Sequence, residues 1–176
     1  VSSGCIYAGA KIGESGQERI EKDLTLPELK SKIEAVDPTF QIRGFTETDP
    51  PNFSFRNGPC SFYSGTKALA EEAVSGVGQN YLWRLRIPFD EIANARNFLF
   101  KIQTYPKVYD NVNSLSHRDD FAQACLDLWE KRAPFGIYNV TNPGFVTTRK
   151  VIRAIEKILQ PNRSFQFWES DAEFYQ

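Results

Sequence analysis

Apolar positions along the chain switch between two spacings. Residues 81–87 alternate, with Tyr81, Trp83, Leu85 and Ile87 on one side and Leu82, Arg84 and Arg86 on the other. That period predicts a strand, which Pro88 ends. A second strand is predicted over Phe135 to Thr141, and Val1 to Tyr7 reads as a short strand running into a loop. Helical spacing marks Ser61 or Phe62 to Val74, closed by Gly76 and Gly78. A further helix is expected over Ala95 to Thr104. The Ser116-x-x-Asp119 pattern reads as a capping box for a helix through about Lys131. A last helix starts at Thr147 or Thr148, with Val151, Ile152, Ile155, Ile158 and Leu159 apolar. Strands alternating with helices imply an α/β fold with a parallel sheet, whose ligands sit beyond the C-terminal strand ends. Ser3 and Pro88 fall near those ends.

Residues 8–44 interrupt this pattern. They are polar and rich in Gly, Lys and Glu, and read as an insertion holding one helix. Thr25 is the expected N-cap, with Pro27 in the first turn and Glu28 completing a capping box. Leu24 and Leu29 are spaced as a hydrophobic staple. Leu26, Leu29, Ile33 and Val36 keep helical period, and Pro38 is the expected stop. The next stretch, Thr46 to Pro59, is turn-rich and expected as loop.

Composition narrows the classes. With 176 residues and 41% hydrophobic residues the chain can bury a core, and disorder is not expected. The formal net charge of -1, from 21 Lys+Arg against 22 Asp+Glu, offers no global footprint for nucleic acid or an anionic membrane. No apolar run is long enough to span a bilayer, and no signal peptide is visible. The three cysteines, Cys5, Cys60 and Cys125, are scattered without a CxxC, which argues against a disulfide framework or zinc site and for a reducing, cytoplasmic setting. The chain lacks any Met and opens as if inside a strand, so it reads as part of a longer protein.

Candidate chemistry centres on Tyr63-Ser64-Gly65-Thr66-Lys67. Residues four apart share a helix face. A Lys ammonium beside a Tyr hydroxyl favours the phenolate, and such a Tyr can exchange a proton with a carbonyl or alcohol oxygen. Ser3, at a strand end, could donate to the same oxygen. The plain alternatives are a helix start with a surface Lys and a polar strand-to-loop junction. Cys5 by itself reads as a small buried residue. Arg84 is expected to be structural and Arg86 to face the site. His117 is expected in a loop near a helix start, with Asp119 and Asp120 capping that helix.

The order Ser-x-x-[Val/Ile]-Tyr, Pro-rich loop, Tyr-x-x-x-Lys resembles the extended short-chain dehydrogenase/reductases that act on sugar nucleotides. Ser116-His117-Arg118-Asp119-Asp120 and Tyr138-Asn139-Val140-Thr141-Asn142-Pro143-Gly144 resemble that family's C-terminal half. More narrowly, five motifs are similar to the nucleotide-4-keto-6-deoxyhexose 3,5-epimerase/4-reductases. They are Ser3-Gly4-Cys5-Ile6-Tyr7, Pro51-Asn52-Phe53, Ser61-Phe62-Tyr63-Ser64-x-Thr66-Lys67, Leu85-Arg86-Ile87-Pro88 and Arg96-Asn97-Phe98-Leu99-x-Lys101.

The resemblance implies a catalytic triad of Ser3, Tyr63 and Lys67, with Cys5 and Lys101 exchanging protons at C3 and C5 of the sugar. A solvated helix lysine is the alternative for Lys101. It implies NADPH or NADH held by Tyr63, Lys67 and Pro88, and a nucleotide sugar held by Ser3, Glu47, Asn52, Arg86 and Asn97. No metal is implied. The expected architecture is the C-terminal portion of a Rossmann-type doubly wound parallel sheet over 1–90, interrupted by the 8–44 insertion, with a small α/β substrate-binding region over 91–176. The family's GxGxxG fingerprint is absent from the sequence, so its N-terminal half is expected to lie outside the chain. A plain 4-reductase, another sugar-nucleotide epimerase or dehydratase, and a non-catalytic binding fragment are the competing readings. A homodimer is left open.

Overall fold

The computed structural model describes every residue except 15, 36–38, 160–162, 169–170 and 175–176. The first elements are β1 (Ser2–Ser3), β2 (Ala10–Glu14), β3 (Gln17–Glu21), α1 (Pro27–Ala35), β4 (Phe40–Arg43) and α2 (Phe62–Ser75). Next come β5 (Tyr81–Leu85), β6 (Pro88–Phe89), α3 (Phe98–Thr104), β7 (Lys107–Val108), β8 (Val112–Asn113) and β9 (Ser116–His117). The last are α4 (Arg118–Glu130), β10 (Gly136–Asn139), β11 (Val146–Thr147), α5 (Thr148–Leu159), β12 (Gln166–Phe167) and α6 (Asp171–Phe174). These elements form a mixed α/β fold in two compact units. One comprises 1–8, 45–92 and 114–143, and the other 9–44, 93–113 and 144–176.

The first unit is built on a parallel sheet in the order β1-β5-β10. Ser3 pairs with Leu85, and Tyr138 with Trp83. The predicted alternation holds along β5: Leu82 and Arg84 are buried, and their neighbours are half-buried. Helix α2 packs on β1 and on the 3-10 turn Gly4–Ile6 that follows it. Ser61 caps α2 by accepting from Ser64 N at 3.0 Å, and Gly76 closes it. Gly65 is required by packing, since a Cβ there would lie 2.3 Å from Phe55 Cε1.

A buried polar network stitches this unit together. Arg84 donates to Glu71 of α2 through Nε and Nη2 and to the Tyr7 hydroxyl through Nη1. Tyr7 in turn donates to Asp49 O at 2.7 Å, in the predicted 46–59 loop. The expected structural role of Arg84 is observed. Beside the main sheet, β6 and β9 pair in parallel, Pro88 opposite Ser116.

Ser116 is not the cap of α4. It sits in β9, where its Oγ donates to Val140 O at 2.8 Å and accepts from Arg86 N at 3.0 Å. Those two backbone groups claim the hydroxyl that the capping pattern assigned to the helix. His117 occupies the N-cap position without a side-chain capping bond, and Asp119 and Asp120 lie in the first turn.

The second unit corrects the reading of residues 8–44. Besides α1, they form a three-stranded antiparallel sheet, β3-β2-β4, with Ile12 opposite Arg19 and Ile42. Ala10, Ile12, Leu24, Leu29 and Phe40 make its core, so the expected staple pair Leu24 and Leu29 is buried together. Thr25 is not the N-cap. Its backbone N and hydroxyl both donate to Asp23 Oδ1, in a turn that ends before Pro27 opens α1. Val36 and Pro38, the expected end of that helix, lie outside the described residues. Gly9, at φ 78°, enters the sheet so close to Glu21 that a Cβ would sit 1.8 Å from its carbonyl oxygen.

A separate cluster of Ile102, Val108, Ile152 and Ile155 joins α3, β7 and α5. Buried Asp110 accepts from Arg149 N in the first turn of α5 at 3.0 Å and pairs with Arg149 Nε at 3.0 Å. No helix among the described residues is long and apolar enough to cross a membrane.

Candidate active site

Eight of the ten expected site residues belong to the first unit. Strand β1 ends at Ser3, which is 4% exposed and accepts from Cys5 N at 3.2 Å, capping the 3-10 turn. This bond holds Cys5 at the C-terminal end of the parallel sheet. Cys5 is half-buried, and its sulfur accepts from Arg86 Nη1 at 3.1 Å. Arg86 itself leaves the end of β5 beside Leu85, the partner of Ser3. Ile87 follows with φ at 42°, unusual for a β-branched residue, before Pro88 begins β6. The chain therefore turns sharply just after Arg86, at the strand end that lies beside Ser3 and Cys5.

Tyr63 and Lys67 lie one turn apart in the first half of α2. Tyr63 is 53% exposed, and Lys67 Nζ stands 5.7 Å from its ring centroid. Lys67 also donates to Val1 O at 3.5 Å, a long contact that engages one of its three N–H groups. A phenol hydroxyl and an ammonium on one helix face form a donor set for vicinal hydroxyls such as those of a ribose.

Glu47 accepts from Asn139 N at 2.7 Å, tying the 46–59 loop to β10. The Asn52 amide grips Ala8, accepting from its N at 2.8 Å and donating to its O at 3.0 Å. Lys101 and Asn97 belong to the second unit. Asn97 is 3% exposed and caps α3 by accepting from Leu99 N; Lys101 is half-buried one turn further along.

The chain is 37% identical over 120 residues to a bifunctional dTDP-4-dehydrorhamnose 3,5-epimerase/dTDP-4-dehydrorhamnose reductase of Arabidopsis thaliana, covering 68% of this chain and 38% of that one. By sequence the chain belongs with the rhamnose-forming 3,5-epimerase/4-reductases. It spans less than half the length of that relative. The fold agrees with the UDP-rhamnose synthase of Acanthamoeba polyphaga mimivirus, with TM-score 0.71 and 24% identity over 99% of this chain and 50% of that one. It also agrees with a dTDP-4-dehydrorhamnose reductase of Bacillus anthracis solved in complex with NADP, with TM-score 0.51 and 17% identity over 74% of this chain and 48% of that one. No protein-family model matches the chain.

Two features at this site escaped the sequence. Ser116 holds the backbone of Arg86, and Arg86 in turn reaches the Cys5 sulfur. The Ser116-His117-Arg118-Asp119 run stands out as a motif, but nothing local signals a partner thirty residues upstream.

Proposed function

We propose that this chain carries the nicotinamide-side chemistry of an enzyme that epimerises a nucleotide-linked 4-keto-6-deoxyhexose at C3 and C5 and reduces it at C4 with NADPH. The supporting observation is the pairing of Tyr63 and Lys67 on an accessible face of α2, in one compact unit with Ser3 and Cys5. We read the β1-β5-β10 sheet as part of a Rossmann-type doubly wound sheet. On this reading residues 1–90, apart from the 8–44 insertion, are the C-terminal part of a cofactor-binding domain, and 91–176 are a small substrate-binding region.

The C4 carbonyl acidifies the hydrogens on C3 and C5. Cys5 and Lys101 are the groups assigned to remove and return those protons. Ser3 and Tyr63 donate to the carbonyl oxygen as it gains enolate charge. NADPH, when bound, supplies the hydride that C4 receives. Tyr63 then gives its proton to the C4 oxygen, and the Lys67 ammonium stabilises the phenolate that remains. The same ammonium and phenol suit the ribose hydroxyls of the nicotinamide half, and the backbone at Pro88 is the third group assigned to the cofactor. Glu47, Asn52, Arg86 and Asn97 complete the proposed substrate set. Glu47, Asn52 and Asn97 bond to backbone, which fixes the 46–59 loop and, separately, the start of α3.

The test supplies the expected dinucleotide-binding half, incubates the protein with dTDP- and UDP-4-keto-6-deoxyglucose in D2O, and follows deuterium at C3 and C5, then NADPH oxidation. Exchange is expected without NADPH and lost in Cys5→Ser. Oxidation should fall by roughly 10²-fold or more in Tyr63→Phe. Oxidation without exchange leaves a plain reductase, and neither process with either sugar removes the proposal.

A further inference from the structure

Arg86 is held from both ends. Its backbone N donates to Ser116 Oγ, and that hydroxyl, 2% exposed, donates onward to Val140 O at the end of β10. Ser116 N reaches Ile87 O at 3.4 Å, the residue that turns to φ 42°. The strand end that carries Arg86 is thus clamped to β9 and β10. At the other end the guanidinium lies along the Gly4–Ile6 turn. A Cβ on Gly4 would stand 3.4 Å from Arg86 Cδ, so the glycine leaves the side chain its path to Cys5. Nη1 then donates to Cys5 Sγ at 3.1 Å.

A thiol used as a proton acceptor works through its thiolate, and a guanidinium beside it supplies both a charge and a donated N–H to that form. We infer that Arg86 is a positioning residue for Cys5. It holds the sulfur in place and balances its charge, and Ser116 fixes Arg86 by its backbone. This rests on the proposed epimerase role of Cys5, and it gives Arg86 a task at the thiol besides its proposed place in the substrate set.

The chain carries its own internal control. Cys60 is also half-buried, and Cys125 is buried in α4. Alkylation by iodoacetamide at neutral pH, resolved by peptide mass, gives the rate at Cys5 relative to Cys60. In the wild-type chain Cys5 should react faster. Arg86→Met should lower the Cys5-to-Cys60 ratio by about tenfold, the loss of one charge-assisted hydrogen bond. Arg86→Lys should restore most of the ratio, since it keeps the charge, and Ser116→Ala should give an intermediate value. Arg86→Gln serves in place of Arg86→Met if the latter does not fold. An unchanged ratio in Arg86→Met or Arg86→Gln, or an Arg86→Lys ratio as low as theirs, overturns the inference. The probe needs neither sugar nor cofactor. Loss of the reaction with normal Arg86-dependent alkylation would therefore count against the proposed function alone.

Discussion

Arg84 and Glu71 form a buried, two-pronged ion pair, with Nη2 to Oε2 at 2.6 Å and side chains 3% and 7% exposed. It joins the central strand of the parallel sheet to the helix that carries Tyr63 and Lys67. Breaking such a pair strands a charge where water cannot reach it. Glu71→Ala should therefore cost about 3–5 kcal/mol, read as a shift in the urea unfolding midpoint. Replacing both residues together by Leu and Met should recover much of that loss, because no buried charge remains. If the double variant is as unstable as Glu71→Ala, the pair is not what fixes α2 on the sheet.

Tyr7 completes that network and makes it sensitive to alkali. Burial raises its hydroxyl above the ordinary tyrosine value, the Arg84 charge opposes this, and the Glu71 charge adds to it. The folded chain thus holds the Tyr7 proton more tightly than the unfolded chain does. The resulting stability is present below about pH 10 and is lost as pH rises through the higher folded value. Tyr7→Phe should be less stable by about 1 kcal/mol at neutral pH, because the hydrogen bond to Asp49 O is gone. That gap should narrow above pH 10. Denaturant midpoints for both chains between pH 7 and 11 would show it, and a constant gap would remove the Tyr7 contribution.

Gly65 and Phe55 predict a reversal of sign. Ala is the better helix former by about 1 kcal/mol. In the native chain, however, a methyl at 65 meets the Phe55 ring at 2.3 to 2.5 Å. Gly65→Ala should then destabilise by about 1 kcal/mol or more, as overpacking does. In a Phe55→Ala background the same change should stabilise. Equal effects in both backgrounds, measured by thermal unfolding, would mean the ring moves aside without cost.

Elements whose sequence period matched their exposure were readable from the chain alone. Strand β5 alternates because Leu82 and Arg84 turn to a buried side, where Arg84 meets Glu71 of α2, and α2 itself is announced by Ser61, helix formers and Gly76. The sheet of the 8–44 segment was hidden because β3, with the sequence QERIE, is an exposed edge strand and shows no apolar alternation. Its partner β2, with the sequence AKIGE, has Ile12 as its one large apolar residue and contains Gly13. Thr25 and Ser116 failed for a shared reason: a hydroxyl followed by an acid matches a cap, yet the hydroxyl takes whichever backbone or carboxylate partner the fold brings nearest. The Tyr63 and Lys67 pair was legible because both lie on one helix. Cys5 and Arg86 are 81 positions apart, and only the parallel pairing of β1 with β5 brings them together.

Asp110 predicts a role for the second unit's own polar core. Its carboxylate receives the Arg149 backbone N–H and guanidinium, and Lys30 stands 3.6 Å away. An anion at the start of α5 also meets the positive end of the helix dipole. Asp110→Ala removes the acceptor and leaves the amide and two cations unmatched, so it should cost about 2 kcal/mol in chemical unfolding. Asp110→Asn keeps an oxygen for the Arg149 amide and loses only the charge, and should cost about half as much. Hydrogen exchange distinguishes the two contributions. The Arg149 amide should exchange faster in Asp110→Ala and stay protected in Asp110→Asn. If Asn and Ala are equally damaging while that amide stays protected in both, the charge, and not the hydrogen bond to α5, carries the effect.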